Sequence, residues 1–294
     1  VISAVDAIAA DGYGLQAGYF DLFTPTVNTE TIWYGNNGIS VGNRIWNGLH
    51  YSHTTPNQGG GGWNGFATLS EFYDTFEGDA NANYGLADGT PLNNQEERRG
   101  FVPNADSADE TINYGFSYGF LIGQQYDGDG TPLETRSGDP LVFTRELDLF
   151  NSTEVSGIRT QKYHPNQVGV GQVSVSDDSF RAHQVMFRYS DAHLMKAEAM
   201  MRSGGNATEM VNELRVLRNA SPLGSVSEAD MLEERGRELW TEFWRRGDLL
   251  RFGKFTKDWE WKDAAAVGND TRKLYPIPLA ALVSNPNLQQ SPGY

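Results

Sequence analysis

The 294-residue sequence contains no cysteine, which removes disulfides, thiolate nucleophiles and cysteine-ligated metals from consideration. Basic residues are scarce: 23 lysines and arginines stand against 38 acids, a formal net charge of −15. A chain this acidic repels a phosphate backbone, which excludes nucleic acid as a partner. No apolar run approaches the roughly 18 residues of a membrane-spanning helix. The first residues, from Val1 to Val5, form neither a charged n-region nor a lipidation site. Phosphate-loop, nucleophile-elbow and zincin patterns are missing, and the five histidines are scattered, so nucleophilic and zinc chemistry have no positive sign and no cofactor is expected.

What is present divides in two. Residues 1–170 hold 21 acids, 7 bases and 24 of the 33 glycines, whereas 171–294 hold 17 acids and 16 bases. The first stretch reads as polar, acidic loops with short strands, the second as charge-balanced helices. No linker separates them. We therefore expect one domain over 1–294, with a loop-rich ligand-facing region at 1–180 and a helical region at 181–294.

Residues 1–10 read as the end of an amphipathic helix with Val1, Val5 and Ile8 on one face, as in a portion of a longer protein. The alternation at 29–34 predicts a strand, and Leu69, Phe72, Tyr73 and Phe76 predict a short helix over 68–76. A helix over 183–202 ends at Gly204 and Gly205, and a second spans 206–219 with Met210, Val211, Leu214 and Leu217 in a stripe. The short connection makes the two antiparallel. Ser227 and Asp230 form a capping box opening a third helix over 228–246, with Trp240, Phe243 and Trp244 facing inward and Glu233–Arg237 and Glu242–Arg246 as surface pairs.

Several patterns are tested against simpler readings. The G-x-G-x-x-G at 60–65 follows no buried strand, so it reads as a surface loop rather than a dinucleotide site. Asp127 and Asp129 alternate as calcium ligands would, yet two Asp-Gly steps also make a hairpin turn, the preferred reading over a weak calcium candidate. No pair among the 38 acids has a spacing that singles it out for glycoside hydrolysis. By contrast, Trp33, Tyr34, Trp46 and Trp63 sit in Asn- and Gly-rich segments. An exposed ring beside amide side chains matches the apolar face and hydroxyls of a sugar.

The C-terminal third carries an ordered series of motifs: Arg188 to Ala199, Val211 to Arg215 with Arg218, Glu234 to Trp240, Arg246 to Gly253, Tyr275 to Pro278, Asn285-Pro286 and Gln290 to Tyr294. Together with 157–163 and 28–33 they resemble the SusD/RagB family of outer-membrane nutrient-binding lipoproteins. The resemblance implies a mainly α fold, SusD-like, of tetratricopeptide-type helix pairs holding a large irregular region with short strands. It implies a non-catalytic surface lipoprotein that captures a glycan for a SusC-like TonB-dependent transporter. Its lipid anchor and first helix pairs would lie on a part not present here. By position, the family's glycan-contacting aromatics correspond to Trp33 or Tyr34 and to Trp63, with Asn36, Asn64, Arg99 and Tyr118 as further contacts. The motif charges Glu234, Arg235, Glu238 and Asp248 read as ion pairs that fix helix packing. The acidic loop region favours a neutral oligosaccharide. A peptide receptor of the same fold and, less favoured, a glycosidase are the alternatives.

Overall fold

The computed structural model describes residues 1–23, 28–36, 48–53, 62–83, 95–102, 117–127, 130–163 and 183–294. Helix α1 (Ile2–Ala10) packs along α3 (Tyr189–Arg202), burying Val5 and pairing Asp6 with Lys196 at 2.5 Å. α3 and α4 (Thr208–Leu217) form the expected antiparallel hairpin, and α5 (Glu228–Glu238) lies against α3. Leu194, Ala197, Val211, Leu214 and Met231 make the core among them. The capping box is formed: Ser227 Oγ accepts from Asp230 N, and Asp230 Oδ2 accepts from Ser227 N at 2.8 Å.

Short strands organise the loop-rich region. β2 (Ala67–Thr68), β7 (Ile158–Gln161), β4 (Tyr118–Leu121) and β3 (Gly100–Phe101) lie side by side in that order as an antiparallel sheet. β5 (Gly123–Gln124) pairs with β6 (Val142–Phe143). Gly100 and Gly119 oppose each other at φ +78 and +83, so close that a Cβ on either would strike the other's backbone. A one-turn helix, α2 (Ser70–Tyr73), and the 3₁₀ turn Tyr19–Phe23 bring Tyr73, Phe76, Phe20 and Phe23 onto Phe120 and Trp240.

Two expectations are corrected. Residues 183–188 are a strand, not helix: β8 (His183–Arg188) pairs antiparallel with β1 (Thr31–Asn36), and α3 begins only at Tyr189. Val185 and Phe187 suit a pleated surface, and the cross-strand partner for Phe187 is Trp33. The helix expected over 228–246 breaks after Glu238, resuming as α6 (Arg245–Arg251). Between them Thr241 and Phe243 take left-handed backbone, φ 60 and 72. The break inserts Trp240 against Phe120, centroids 4.9 Å apart, and leaves Phe243 60 % exposed rather than inward. It also turns Glu242 away from Arg246 and into the interior, where it binds Lys162 Nζ at 2.6 Å and Arg188 Nε at 2.8 Å. A surface i,i+4 pair stabilises by only about 0.3–0.5 kcal/mol, too little to hold the helix straight against that core.

The motif charges are fully buried, and their partners come from both regions. Ion pairs no longer than 3.3 Å connect six acids, Glu30, Glu77, Glu96, Glu234, Glu238 and Glu242, with six bases, Arg98, Lys162, Arg188, Arg215, Arg218 and Arg237. A second array alternates Asp191, Arg235, Asp248, Arg251, Glu198 and Arg202. Burial alone would raise the carboxyl of Glu234, but Arg98, Arg237 and Arg215 hold it down at about 2. Glu238, beside Arg218, Arg188 and Arg98, is held well below the usual range against the same burial. Lys162 goes the other way: burial pushes its ammonium down to about 7, only partly offset by Glu242.

Candidate functional site

The β1–β8 ribbon presents aromatic side chains to solvent. Trp33, 57 % exposed, stacks on Phe187, 38 % exposed, with centroids 5.6 Å apart and planes 15° apart. Phe187 in turn meets Trp244 at 5.4 Å, so three rings from β1, β8 and the α5–α6 break form one continuous surface. The register shift at Trp33 explains its placement: strict alternation would put Phe187 on the same face as Val185, which is buried under the ribbon, and the irregularity turns Phe187 outward. Tyr34 is half-buried opposite Val185. Asn36 closes the strand opposite His183; its side chain and all of Trp46 lie outside the described residues.

The remaining expected contacts are not gathered at the ribbon. Trp63 is 48 % exposed on a separate loop, and among the described residues no ring contact ties it to Trp33. Asn64, at φ 50, is engaged locally: Nδ2 donates to Glu154 O at 2.8 Å and Oδ1 accepts from Arg159 Nε at 3.2 Å. Arg99 is buried, donating to Tyr73 Oη, Asp79 O and Ala82 O with its guanidinium over the Tyr73 ring. Burial, with Arg145 nearby, lowers its pKa to about 10. Tyr118 sets its ring edge-on to Phe20 at 4.8 Å, and burial followed by Glu97 raises its hydroxyl. Asp127 belongs to a tight turn in which its N–H donates to Thr131 O and its carbonyl accepts from Gly130 N, each at 2.9 Å. Asp129 lies outside the described residues.

A cavity of about 560 Å³ opens between β7 and the α5–α6 break. Phe66, Tyr163 and Phe243 form its apolar wall, and Lys162, Arg245 and Arg246 its cations. Neither Phe187, Trp244 nor this cavity was indicated by the sequence. A period-two reading of 183–188 would have put Phe187 on the buried face with Val185; its exposure comes from the register shift with β1, which has no signal in the sequence. The cavity depends on the helix break, for which Thr241 and Phe243 give no local signal.

Residues 29–294 match the model of the SusD family. The chain belongs to the SusD family. Over 147 residues, 48 % of this chain, it is 35 % identical to the starch-binding protein SusD of Bacteroides thetaiotaomicron, of which the match covers 26 %. Its fold is that of a SusD-like protein from Bacteroides fragilis, with TM-score 0.61, 20 % identity and coverage of 100 % of this chain and 61 % of that one. It is also that of the surface glycan-binding protein A from B. thetaiotaomicron in complex with laminarihexaose, with TM-score 0.58, 19 % identity and coverage of 99 % and 58 %. This SusD-family chain thus spans less than two thirds of the length of each of these relatives.

Proposed function

We propose that this chain forms a glycan-holding face of a cell-surface binding protein that captures an oligosaccharide without cleaving it, and presents it to a SusC-like TonB-dependent transporter at the outer membrane. The observation that carries this reading is the Trp33–Phe187–Trp244 surface, because the exposed Trp33–Phe187 stack, with half-buried Trp244 tilted beside it, offers apolar faces on which sugar C–H groups settle. The motif carboxylates support binding over hydrolysis: Glu234, Glu238 and Glu242 are saturated by guanidinium and ammonium partners in the interior. Family membership and the names of the starch- and laminarihexaose-binding relatives agree with a glycan ligand. The net charge of −15 favours a largely neutral chain over a polyanion.

Calorimetry against neutral and sulfated oligosaccharides and short peptides tests the reading. A neutral glycan is expected to bind, with Trp33→Ala weakening it by about tenfold or more, the stacking contribution of one ring. No heat with any glycan, tighter binding of a polysulfated one, or a peptide preferred over all sugars would refute it. Affinity capture on a SusC-like barrel tests the partner.

A further inference from the structure

The cavity at the α5–α6 break contains an anomaly of charge. In the helical region, arginines 188, 202, 215, 218, 235, 237 and 251 all reach a carboxylate within 3.7 Å. Arg245, Arg246 and, on a separate turn, Arg272 do not. Arg245 Nη1 donates to Leu232 O at 2.7 Å, and Arg246 Nη2 to Lys273 O at 3.0 Å, with the Arg246 guanidinium between the rings of Phe255 and Tyr275, 4.8 and 4.4 Å away. Each retains guanidinium donors without a carboxylate acceptor among the described residues. Asp248 and Glu233 lie close enough to Arg245 to act on it electrostatically, yet neither arginine has a carboxylate at ion-pair distance among the described residues, which is conspicuous in a chain with a 15-charge acidic excess. Both line the same cavity, whose described lining contains no Asp or Glu. Arg245 also borders the neighbouring groove under α6.

The apolar side completes the chemistry. Phe66 and Phe243 are large exposed rings at the cavity mouth, with Tyr163 between β7 and the break. Phe243 adopts φ 72, a conformation costly for a bulky residue and one of the kind that gathers at ligand sites. It directly precedes Trp244, whose ring meets Phe187 of the ribbon, so the α5–α6 break contributes to both the cavity wall and the aromatic surface.

We infer that this cavity is a subsite for one carboxylate-bearing sugar unit, with Arg245 and Arg246 taking the carboxylate and Phe66 and Phe243 the sugar's apolar face. The inference rests on the glycan reading and deepens it: the ligand is a largely neutral chain carrying a single acidic unit. A volume near 560 Å³ accommodates a unit of that size. Guanidinium groups beside apolar walls bind a carboxylate through charge-assisted bonds that water does not fully screen.

Methyl glucuronide, its methyl ester and methyl glucoside are the probes, titrated against the whole chain by saturation-transfer NMR. The free acid is expected to bind about tenfold more tightly than either uncharged analogue, with the preference shrinking as salt rises. Arg245→Gln and Arg246→Gln are each expected to reduce that preference, whereas Trp33→Ala leaves it intact and weakens only the oligosaccharide. Equal binding of acid and ester in the unmodified chain overturns the inference without any variant having to fold. So does a preference that survives both substitutions, or a tripeptide carboxylate that outcompetes the glucuronide. If oligosaccharides bind the ribbon while the acid has no advantage, the subsite falls and the glycan reading stands.

Discussion

Replacing Glu238 by glutamine is expected to destabilise the chain by about 3 kcal/mol. Its carboxylate is fully buried and accepts from Arg188 Nη1 at 2.6 Å, Arg218 Nη2 at 3.0 Å and Arg98 Nη1 at 3.2 Å. Glutamine keeps the shape but removes the charge, so three buried guanidinium groups share one carboxylate fewer. Breaking a buried pair from one side costs about 3–5 kcal/mol, because the surviving charge has already lost its water. The lower end applies here. Arg188 retains Glu30 and Glu242, Arg98 retains Glu96 and Glu234, and Arg218 retains Glu30. For a chain of this length that amounts to a melting temperature lower by about 5 °C. Circular dichroism melts and urea titrations of the wild type and Glu238→Gln measure it. Asp6→Asn serves as the control, because the exposed Asp6–Lys196 pair should contribute less than about 1 kcal/mol. A loss below about 1 kcal/mol for Glu238→Gln, equal to that of the control, would show that the array is screened by solvent and does not join the two regions.

Three further outcomes follow from the same geometry. Glu234 has a folded pKa of about 2 against an ordinary 4.5, so its stabilisation of roughly 3 kcal/mol is fully present above pH 4.5 and is lost as pH falls toward 2. Glu234→Gln should abolish that part of the acid-unfolding profile, and an unchanged profile would contradict it. Phe243→Gly relieves left-handed backbone at an exposed position and should raise stability, or leave it unchanged within about 1 kcal/mol, while weakening glucuronide binding; a large loss in the melt would show that the ring supports the core. Ser227→Ala removes the Oγ half of the capping box on α5 while leaving the Ser227 N–H to Asp230 bond in place, and should cost about 1 kcal/mol in urea, against no change if the Asp230 side chain alone caps the helix.

How legible each feature was depended on how local its cause is. α4 and the start of α5 could be read because an apolar stripe and a cap sit within one or two turns of sequence. The break after Glu238 could not, because its causes are distant: Trp240 is held by Phe120, and Glu242 by Lys162 and Arg188, partners 54 to 120 residues away. The sequence 183–188 has no turn residues to mark it, and only pairing with β1 makes it a strand. Trp33 and Trp63 stood out because large rings in polar segments are unusual, but that signal does not say which rings meet. Trp33 found its companions in β8 and the α5–α6 break, and Arg99 and Tyr118 turned inward because their neighbours Tyr73 and Phe20 are core residues.

The ion-pair arrays also change the meaning of the net charge. The helical region is not neutral because its charges satisfy one another; Glu30, Glu77, Arg98 and Lys162 cross from the loop-rich region to pair with it, and Glu96 joins the array through Arg98. Setting aside those three acids and two bases leaves residues 1–170 with 18 acids and 5 bases outside the large array. Both arrays are balanced internally, so nearly all of the chain's excess negative charge lies outside them, where it creates a field that disfavours polyanions. Within that field Arg245 and Arg246 are a local reversal. A glycan with many acidic units is repelled over most of its length, a wholly neutral one gains nothing from the two arginines, and one with a single carboxylate gains from both the ribbon and the cavity. Affinity should therefore pass through a maximum at one acidic unit per chain, and a monotonic trend across such a series would show that the global field and the local cations do not act independently.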